Sequence, residues 1–278
     1  MNKVAIVILN YLNYKDTIEC VESILRMKYV VCGIIIVDNG SYNDSYINLN
    51  KRYKKNKKIK IISNNKNEGF AKGNNIGIDY ARKKLNADYV LVVNNDTIFI
   101  DKDYIKNLLE KYRSGIGVIG SGILLKNGYK QPPFVDYFSF KDYVLHYINI
   151  LSKKYGSSFE FPENQGPATQ ILHGCTLLFT PDFFRYYTGF YKRTFLYGEE
   201  AILYLMCQCK SLKQLYVPEV KIYHKEDQSS LLSFQNDDSI HLKYIVDSTK
   251  YVIWWIIKYN IHLLLKNIEI GLKEPNKE

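Results

Sequence analysis

The sequence predicts a doubly wound α/β sheet in a single domain, with amphipathic helices at its C-terminal end. Three observations carry this. Apolar, β-branched runs of strand length (Val4 to Leu9, Gly33 to Val37, Tyr89 to Val93) lack polar alternation, as expected for strands buried on both faces. Segments with helical spacing separate them, the strand–helix–strand order that builds a parallel sheet. Each run also stops abruptly at polar residues: Asn10-Tyr11, Asp38-Asn39-Gly40-Ser41 and Asn94-Asn95-Asp96. In open α/β sheets that edge is where ligands bind.

A chain of 278 residues can bury one large core. Its 38 basic and 28 acidic side chains give a formal charge of +10, which suits an anionic partner without choosing among nucleic acid, a phospholipid surface and a phosphorylated substrate. The five cysteines are odd in number, with neither a disulfide framework nor a zinc spacing, and this fits a reducing cytosol. The N-terminus enters a strand without a cleavable signal pattern. The longest apolar run near the C-terminus, Tyr251 to Ile257, is cut by Lys258 and is too short to cross a bilayer.

In chain order, the first strand leads to a helix capped by Asp16 or Thr17, with Ile18, Val21, Ile24 and Leu25 on its apolar face. A second strand completes a right-handed βαβ unit. Seven basic residues between Lys51 and Lys60 read as a solvated helix end, since no nucleic-acid recognition motif accompanies them. Lys60 to Ile62 is a short strand, and Asn64 to Asn75 a polar loop before a helix from Ile76 to Leu85. The strand that stops at Asp96 follows, then a helix from Tyr104 to Tyr112 and a strand from Val118 to Leu125. Lys126 to Gln170, with Pro132-Pro133, reads as a long excursion holding one helix, Tyr143 to Lys153. A strand from Ile171 to Phe179, a helix from Pro181 to Tyr186, a helix from Ala201 to Cys209, and a strand from Leu215 to Pro218 followed by Val220 to His224 restore regularity. Beyond Leu242 the pattern gives one or two amphipathic helices. Two readings of them stand open: packing on the domain with the lysines in solvent, or lying in a membrane interface.

Four segments place acids or polar loops where this fold binds ligands: Asp38, Asn67 to Asn75, Asp96, and Glu199-Glu200. In that order, from Lys3 to about Ser230, the chain resembles the family 2 glycosyltransferases of the GT-A fold, a Rossmann-like, doubly wound mixed sheet. More narrowly, it looks like their bacterial rhamnosyltransferase-like branch. Val37 to Ser41 matches the family's V-D-N-x-S, which implies that Asp38, with Asn10 on the next strand tip, binds the nucleotide base or ribose. Asn67 to Asn75 matches N-x-G-F-(A/G)-x-G-x-N, which implies nucleotide-sugar contacts for Asn67, Gly69, Phe70, Gly73 and Asn74. Asn94-Asn95-Asp96 matches the N-x-D form of the DxD motif. The resemblance thus puts Asn94 and Asn95 beside the nucleotide sugar and Asp96 on Mn2+ or Mg2+, with His224 as a further metal or diphosphate ligand.

His173 and Gly174 fall in the segment that flanks the acceptor. Phe195 to Glu200 looks like the family's aromatic stretch that ends in E-D, whose last acid is the catalytic base; here that residue is Glu200, with Glu199 adjacent and also eligible. A position at a helix N-terminus is expected to keep Glu200 ionised. Ile202 stands where the family often has a further acid, and Asp247-Ser248 where it often has Arg-Asn.

The resemblance implies a nucleotide-sugar-binding half (1–125) and an acceptor-binding and catalytic half (126–240); beyond it, the amphipathic pattern gives a helical tail (241–278) open to membrane or second-subunit contact. The resemblance further implies inverting transfer from a UDP-hexose or dTDP-rhamnose type donor to a glycan or lipid-linked glycan, in the cytoplasm at the inner face of the membrane. A homodimer is compatible with it, and nucleic acid is not a partner. Two other classes compete: a non-catalytic subunit of the same fold and a sugar nucleotidyltransferase. The latter normally opens with a glycine-rich phosphate loop, and Ile8 to Asn13 contains no glycine.

Overall fold

The computed structural model describes residues 2–126, 128, 130–131, 134–136, 138–151, 169–225 and 238–273. Four parallel strands form one half of the main sheet: β1 (Val4–Asn10), β2 (Gly33–Asp38), β3 (Ile59–Ser63) and β4 (Tyr89–Asn94). Alternate residues of these strands enter opposite cores, as a pleat of period two requires. Val4, Ile6, Ile8, Ile34, Ile36 and Leu91 face one, while Ala5, Val7, Ile35, Val37, Val90 and Val92 face the other. Each fully buried aliphatic side chain contributes about 1.5–3 kcal/mol, so the unbroken apolar runs are what fix these strands at the centre.

The second half comprises β5 (Thr97–Ile98), β6 (Ile116–Leu124), β7 (Lys130–Gln131), β10 (Thr176–Phe179) and β11 (Lys213–His224). The sheet order is β3-β2-β1-β4-β10-β6-β11-β5, with β7 on β6. Both β10 and β5 run against their neighbours, so the sheet is mixed. A separate pair joins β8 (Phe134–Asp136) to β9 (Thr169–Ile171). Helices α1 (Tyr14–Leu25), α2 (Ser45–Tyr53), α3 (Gly69–Lys84), α4 (Tyr104–Lys111), α5 (Phe140–Leu151), α6 (Pro181–Phe184), α7 (Glu199–Gln208) and α8 (Asp238–Lys273) complete the described elements.

Several boundaries differ from those read off the sequence. Asn13, not Asp16 or Thr17, caps α1, its side chain accepting from the Asp16 N–H. The glycine-bearing loop before the third helix is itself helical: α3 starts at Gly69, because Asn67 and Asn39 satisfy its first amides. The run from Ile171 to Phe179 divides between two sheets around His173 to Cys175. Leu215 to His224 is one strand with a bulge between Val217 and Lys221, where Pro218 cannot donate to the ladder. The helix expected from Tyr143 begins at Phe140, and its last two residues, with Pro132 and Pro133, lie outside the described residues. The tail is one helix of 36 residues. All five cysteines are free thiols.

This topology assembles one functional edge. Asn10 pairs with Asp38, and Leu9 with Asn94, so the tips of β1, β2 and β4 are level. Because β10 is antiparallel, its leading residues meet the tip of β4, where the Asn94 amide donates to the Cys175 carbonyl at 2.9 Å. After Asn95 and Asp96 the chain reverses into β5, whose Thr97 pairs with His224.

Candidate active site

At that edge a cleft of about 300 Å³ opens between the strand tips and the loop before α7. Eleven of the residues singled out in the sequence line it: Asn67, Gly69, Phe70, Asn94, Asn95, Asp96, His173, Gly174, Glu199, Glu200 and His224. Four others do not. Asn10 donates to the buried Asp38 carboxylate at 2.6 Å, which also accepts from the Ser41 hydroxyl at 2.7 Å. Gly73 packs so closely that a Cβ would meet Leu9 Cδ1 at 2.6 Å, and Asn74 turns back to donate to the Phe70 carbonyl. Gly73 thus serves the packing of α3 on the sheet.

Asn39 is a lining residue that the reading of the strand tip passes over. Its amide donates to Asn67 Oδ1 (2.8 Å) and the Gly69 carbonyl (3.2 Å), and accepts from Asn64 (3.0 Å) and the Glu68 N–H (3.1 Å). Those four bonds exhaust an amide's capacity and tie β2 to the start of α3. The signal was present in the motif that supplied Asp38. Tyr11, at the tip of β1, and Phe195 and Tyr197, within the motif stretch that ends at Glu200, also line the cleft.

The acidic end of the cleft is built by β5–β11 pairing. Asp96 Oδ1 lies 3.2 Å from His224 Nε2, yet the alignment is not that of a hydrogen bond. Asp96 Oδ1 and both His224 ring nitrogens are therefore buried without a hydrogen-bond partner among the described residues. Buried polar atoms are normally satisfied, and a hard-oxygen donor beside an imidazole suits a divalent cation. Among the described residues no group of three or more His, Cys, Asp or Glu side chains could hold a metal alone. The pair thus fits a cation whose remaining ligands come from phosphate oxygens and water. Nearby, His173 Nδ1 accepts from the Cys175 N–H at 3.2 Å, and its ring centre lies 5.8 Å from that of His224. Burial, then the neighbouring His224, lowers the His173 pKa to about 4, so it is neutral at physiological pH.

The opposite wall carries Glu199 and Glu200 at the start of α7. Tyr197 and Gly198 precede them at φ of 73° and 74°, two left-handed residues that turn the chain sharply into the helix. For Tyr197 this conformation costs roughly 1 kcal/mol or more, and surrounding contacts must hold it. The Phe195 carbonyl accepts from the Phe70 N–H (2.7 Å), the Leu196 carbonyl from the Ser248 hydroxyl (2.7 Å), and the Phe195 ring stacks on Tyr244 at 4.3 Å.

Against the pull of the helix dipole expected at Glu200, both acids are pushed upward from the usual carboxylate value. Burial is the largest cause for each. Glu199 is raised further by the Glu200 charge, whereas backbone N–H bonds from Glu200 and Gly174 partly offset the rise at Glu200. A Cβ on Gly174 would meet Glu200 Oε1 at 2.5 Å, so that glycine is what lets the carboxylate lie against the backbone. Gly174→Ala is expected to displace the Glu200 head while leaving the fold intact. Thermal unfolding should shift by no more than a few degrees, and any activity that depends on Glu200 should fall about tenfold or more.

The raised Glu199 pKa has a consequence for stability. A carboxyl whose folded pKa exceeds its unfolded one contributes stability that is present at low pH and lost as pH rises through the folded value. Melting temperature should therefore decline as pH rises above the ordinary carboxylate range, and Glu199→Gln should flatten that decline. Melting curves of both proteins across this rise check it. An equal decline in the variant would show that Glu199 is ionised when folded.

A mixed sheet of this order, with a carboxylate at its central strand tip and two more across the cleft, defines the GT-A architecture. The chain belongs to glycosyl transferase family 2, whose family model matches residues 4–166. Among curated proteins it is similar to the low-salt glycan biosynthesis hexosyltransferase Agl10 of Haloferax volcanii, with 28% identity over 129 residues, 46% of this chain and 39% of that protein. Glycosyltransferase GlyG of Streptococcus pneumoniae serotype 4 is 27% identical over 108 residues, 39% of this chain and 34% of that one. The matches thus span about a third to two fifths of those relatives.

Among solved structures, the mannosyltransferase PcManGT of Pyrobaculum calidifontis, in complex with GDP-Man and Mn2+, superposes with a TM-score of 0.57 at 11% identity, covering 98% of this chain and 81% of that one. GalNAc-T7 with UDP, GalNAc and Mn2+ gives 0.58 at 14% identity, covering 81% of this chain and 44% of that one. S. aureus TarS gives 0.55 at 14%, covering 88% and 39% respectively. At these identities the likeness is one of fold.

Proposed function

We propose that the chain is a metal-dependent, inverting glycosyltransferase that moves a sugar from a nucleotide-sugar donor to a hydroxyl of a growing bacterial surface polysaccharide. A lipid-linked acceptor at the inner face of the membrane is the form that best suits the basic chain and its helical tail. A UDP-hexose donor is preferred over a dTDP-rhamnose type. The observation that carries this is the pairing, across one cleft, of unsatisfied Asp96 and His224 atoms with a carboxylate held against Gly174.

Asp96 and His224 would hold Mn2+ or Mg2+. When bound, the cation supplies positive charge to a diphosphate leaving group. Asn39, Asn67 and Phe70 shape the donor end, with Asp38 supporting the strand tip. Neutral His173 offers a hydrogen-bond donor rather than a charge. Glu200 takes the proton from the incoming hydroxyl, and its raised pKa brings it nearer to operating pH, as general-base work favours. Glu199, more deeply buried and more strongly raised, acts as an orienting group. Attack from the Glu200 side, opposite the diphosphate, inverts the anomeric carbon.

The test is turnover. Purified protein with Mn2+ and a panel of nucleotide sugars should transfer or hydrolyse at least one, and release of nucleoside diphosphate should need the metal. A protein that binds UDP with Mn2+ but never releases product would instead be a non-catalytic subunit.

A further inference from the structure

Helix α8 has two faces with different surroundings. Ser248, Val252, Trp255 and Ile256 are buried on the domain side. Trp254, Ile257, Ile261, Leu264, Leu265 and Ile268 recur at steps that bring them into one stripe on the opposite side of the helix. Each of the six is between 40 and 61% exposed. A contiguous row of large apolar side chains in water marks an interaction surface.

The charge pattern says which kind. From Ser248 to Ile268 the chain carries Lys250, Lys258 and Lys266 and no carboxylate, between Asp247, which pairs with Lys250 at 2.6 Å, and Glu269; Lys258 and Lys266 have no carboxylate beside them in this stretch. The Lys258 ammonium lies over the Trp254 and Trp255 rings, 5.1 and 4.5 Å from their centres, at the aromatic end of the stripe. Two copies docked stripe to stripe would bring two cationic segments together. An anionic bilayer attracts them instead, by about 1 kcal/mol per lysine near its surface. Among the described residues no helix is long and apolar enough to cross a membrane.

We propose that this stripe is the surface on which the protein lies against an anionic lipid bilayer, with the apolar side chains at the headgroup–acyl boundary and the lysines among the phosphates. Toward its N-terminal end, α8 holds the loop of the candidate base through Ser248 and Tyr244. Docking would therefore fix the cleft relative to the bilayer, a consequence that rests on the transferase reading above.

The experiment is co-sedimentation of the full chain with vesicles of mixed phosphatidylglycerol and phosphatidylcholine, and with phosphatidylcholine alone. Binding is expected on the anionic vesicles, weakened by salt. Partitioning should fall about tenfold or more in Ile261→Glu/Leu264→Glu and, with the stripe intact, in Lys258→Glu/Lys266→Glu. Unchanged circular dichroism certifies folding of each variant. Failure of the wild type to sediment with anionic vesicles overturns the proposal. So does a wild-type dimer in sedimentation velocity that Ile261→Glu/Leu264→Glu converts to monomer while neither binds lipid. Because the readout is lipid binding, a protein that binds vesicles without turnover would overturn the transferase reading alone.

Discussion

Asp96→Ala is expected to reduce sugar transfer by about a thousandfold, the scale seen when one preorganised stabiliser of developing charge is removed. Asp96 contributes a strand-tip carboxylate beside His224, and its Oδ1 is buried without another partner to satisfy it among the described residues. The loss should appear in kcat with little change in fold. Removing an unsatisfied buried carboxylate relieves desolvation, so the melting temperature of the metal-free protein should hold or rise. A variant retaining a tenth or more of wild-type turnover would exclude Asp96 from charge neutralisation.

Glu200→Gln is the second large effect. Loss of a general base typically costs about 10²–10⁴-fold, and the amide keeps the shape of the carboxylate. The pH profile separates the two acids. A base works only when deprotonated, so wild-type kcat/KM should climb as pH rises through the Glu200 pKa, which burial places above the usual carboxylate range. Residual activity of Glu200→Gln should lack that limb, whereas Glu199→Gln should retain it. If instead Glu199→Gln abolishes the limb, the roles of the two acids are reversed.

The sheet was legible because its strands bury both faces, so Val4 to Leu9 and Tyr89 to Val93 are unbroken apolar runs ended by polar tips. The start of α3 was not, since Asn67, Gly69 and Asn74 are turn formers by local preference, and Asn39, which joins Asn67 in satisfying amides at the helix start, is brought in from a distance by β2. Pairing of Asp96 with His224 depends on a two-residue strand, too short for any periodicity to register. The upward push on the Glu200 pKa was not legible in the sequence, because desolvation is a property of the assembled cleft. For the tail, the lysine spacing drew attention to charge, whereas the surface that α8 leaves open is an apolar stripe visible only once its buried face is known.

Calorimetric titration of UDP into the protein, with and without Mn2+, tests the central claim most directly when run on wild type and Asp96→Asn. The account predicts that Mn2+ tightens UDP binding to the wild type by about tenfold or more and leaves the variant's affinity unchanged. Equal Mn2+-dependent tightening in both proteins would contradict a cation held at Asp96.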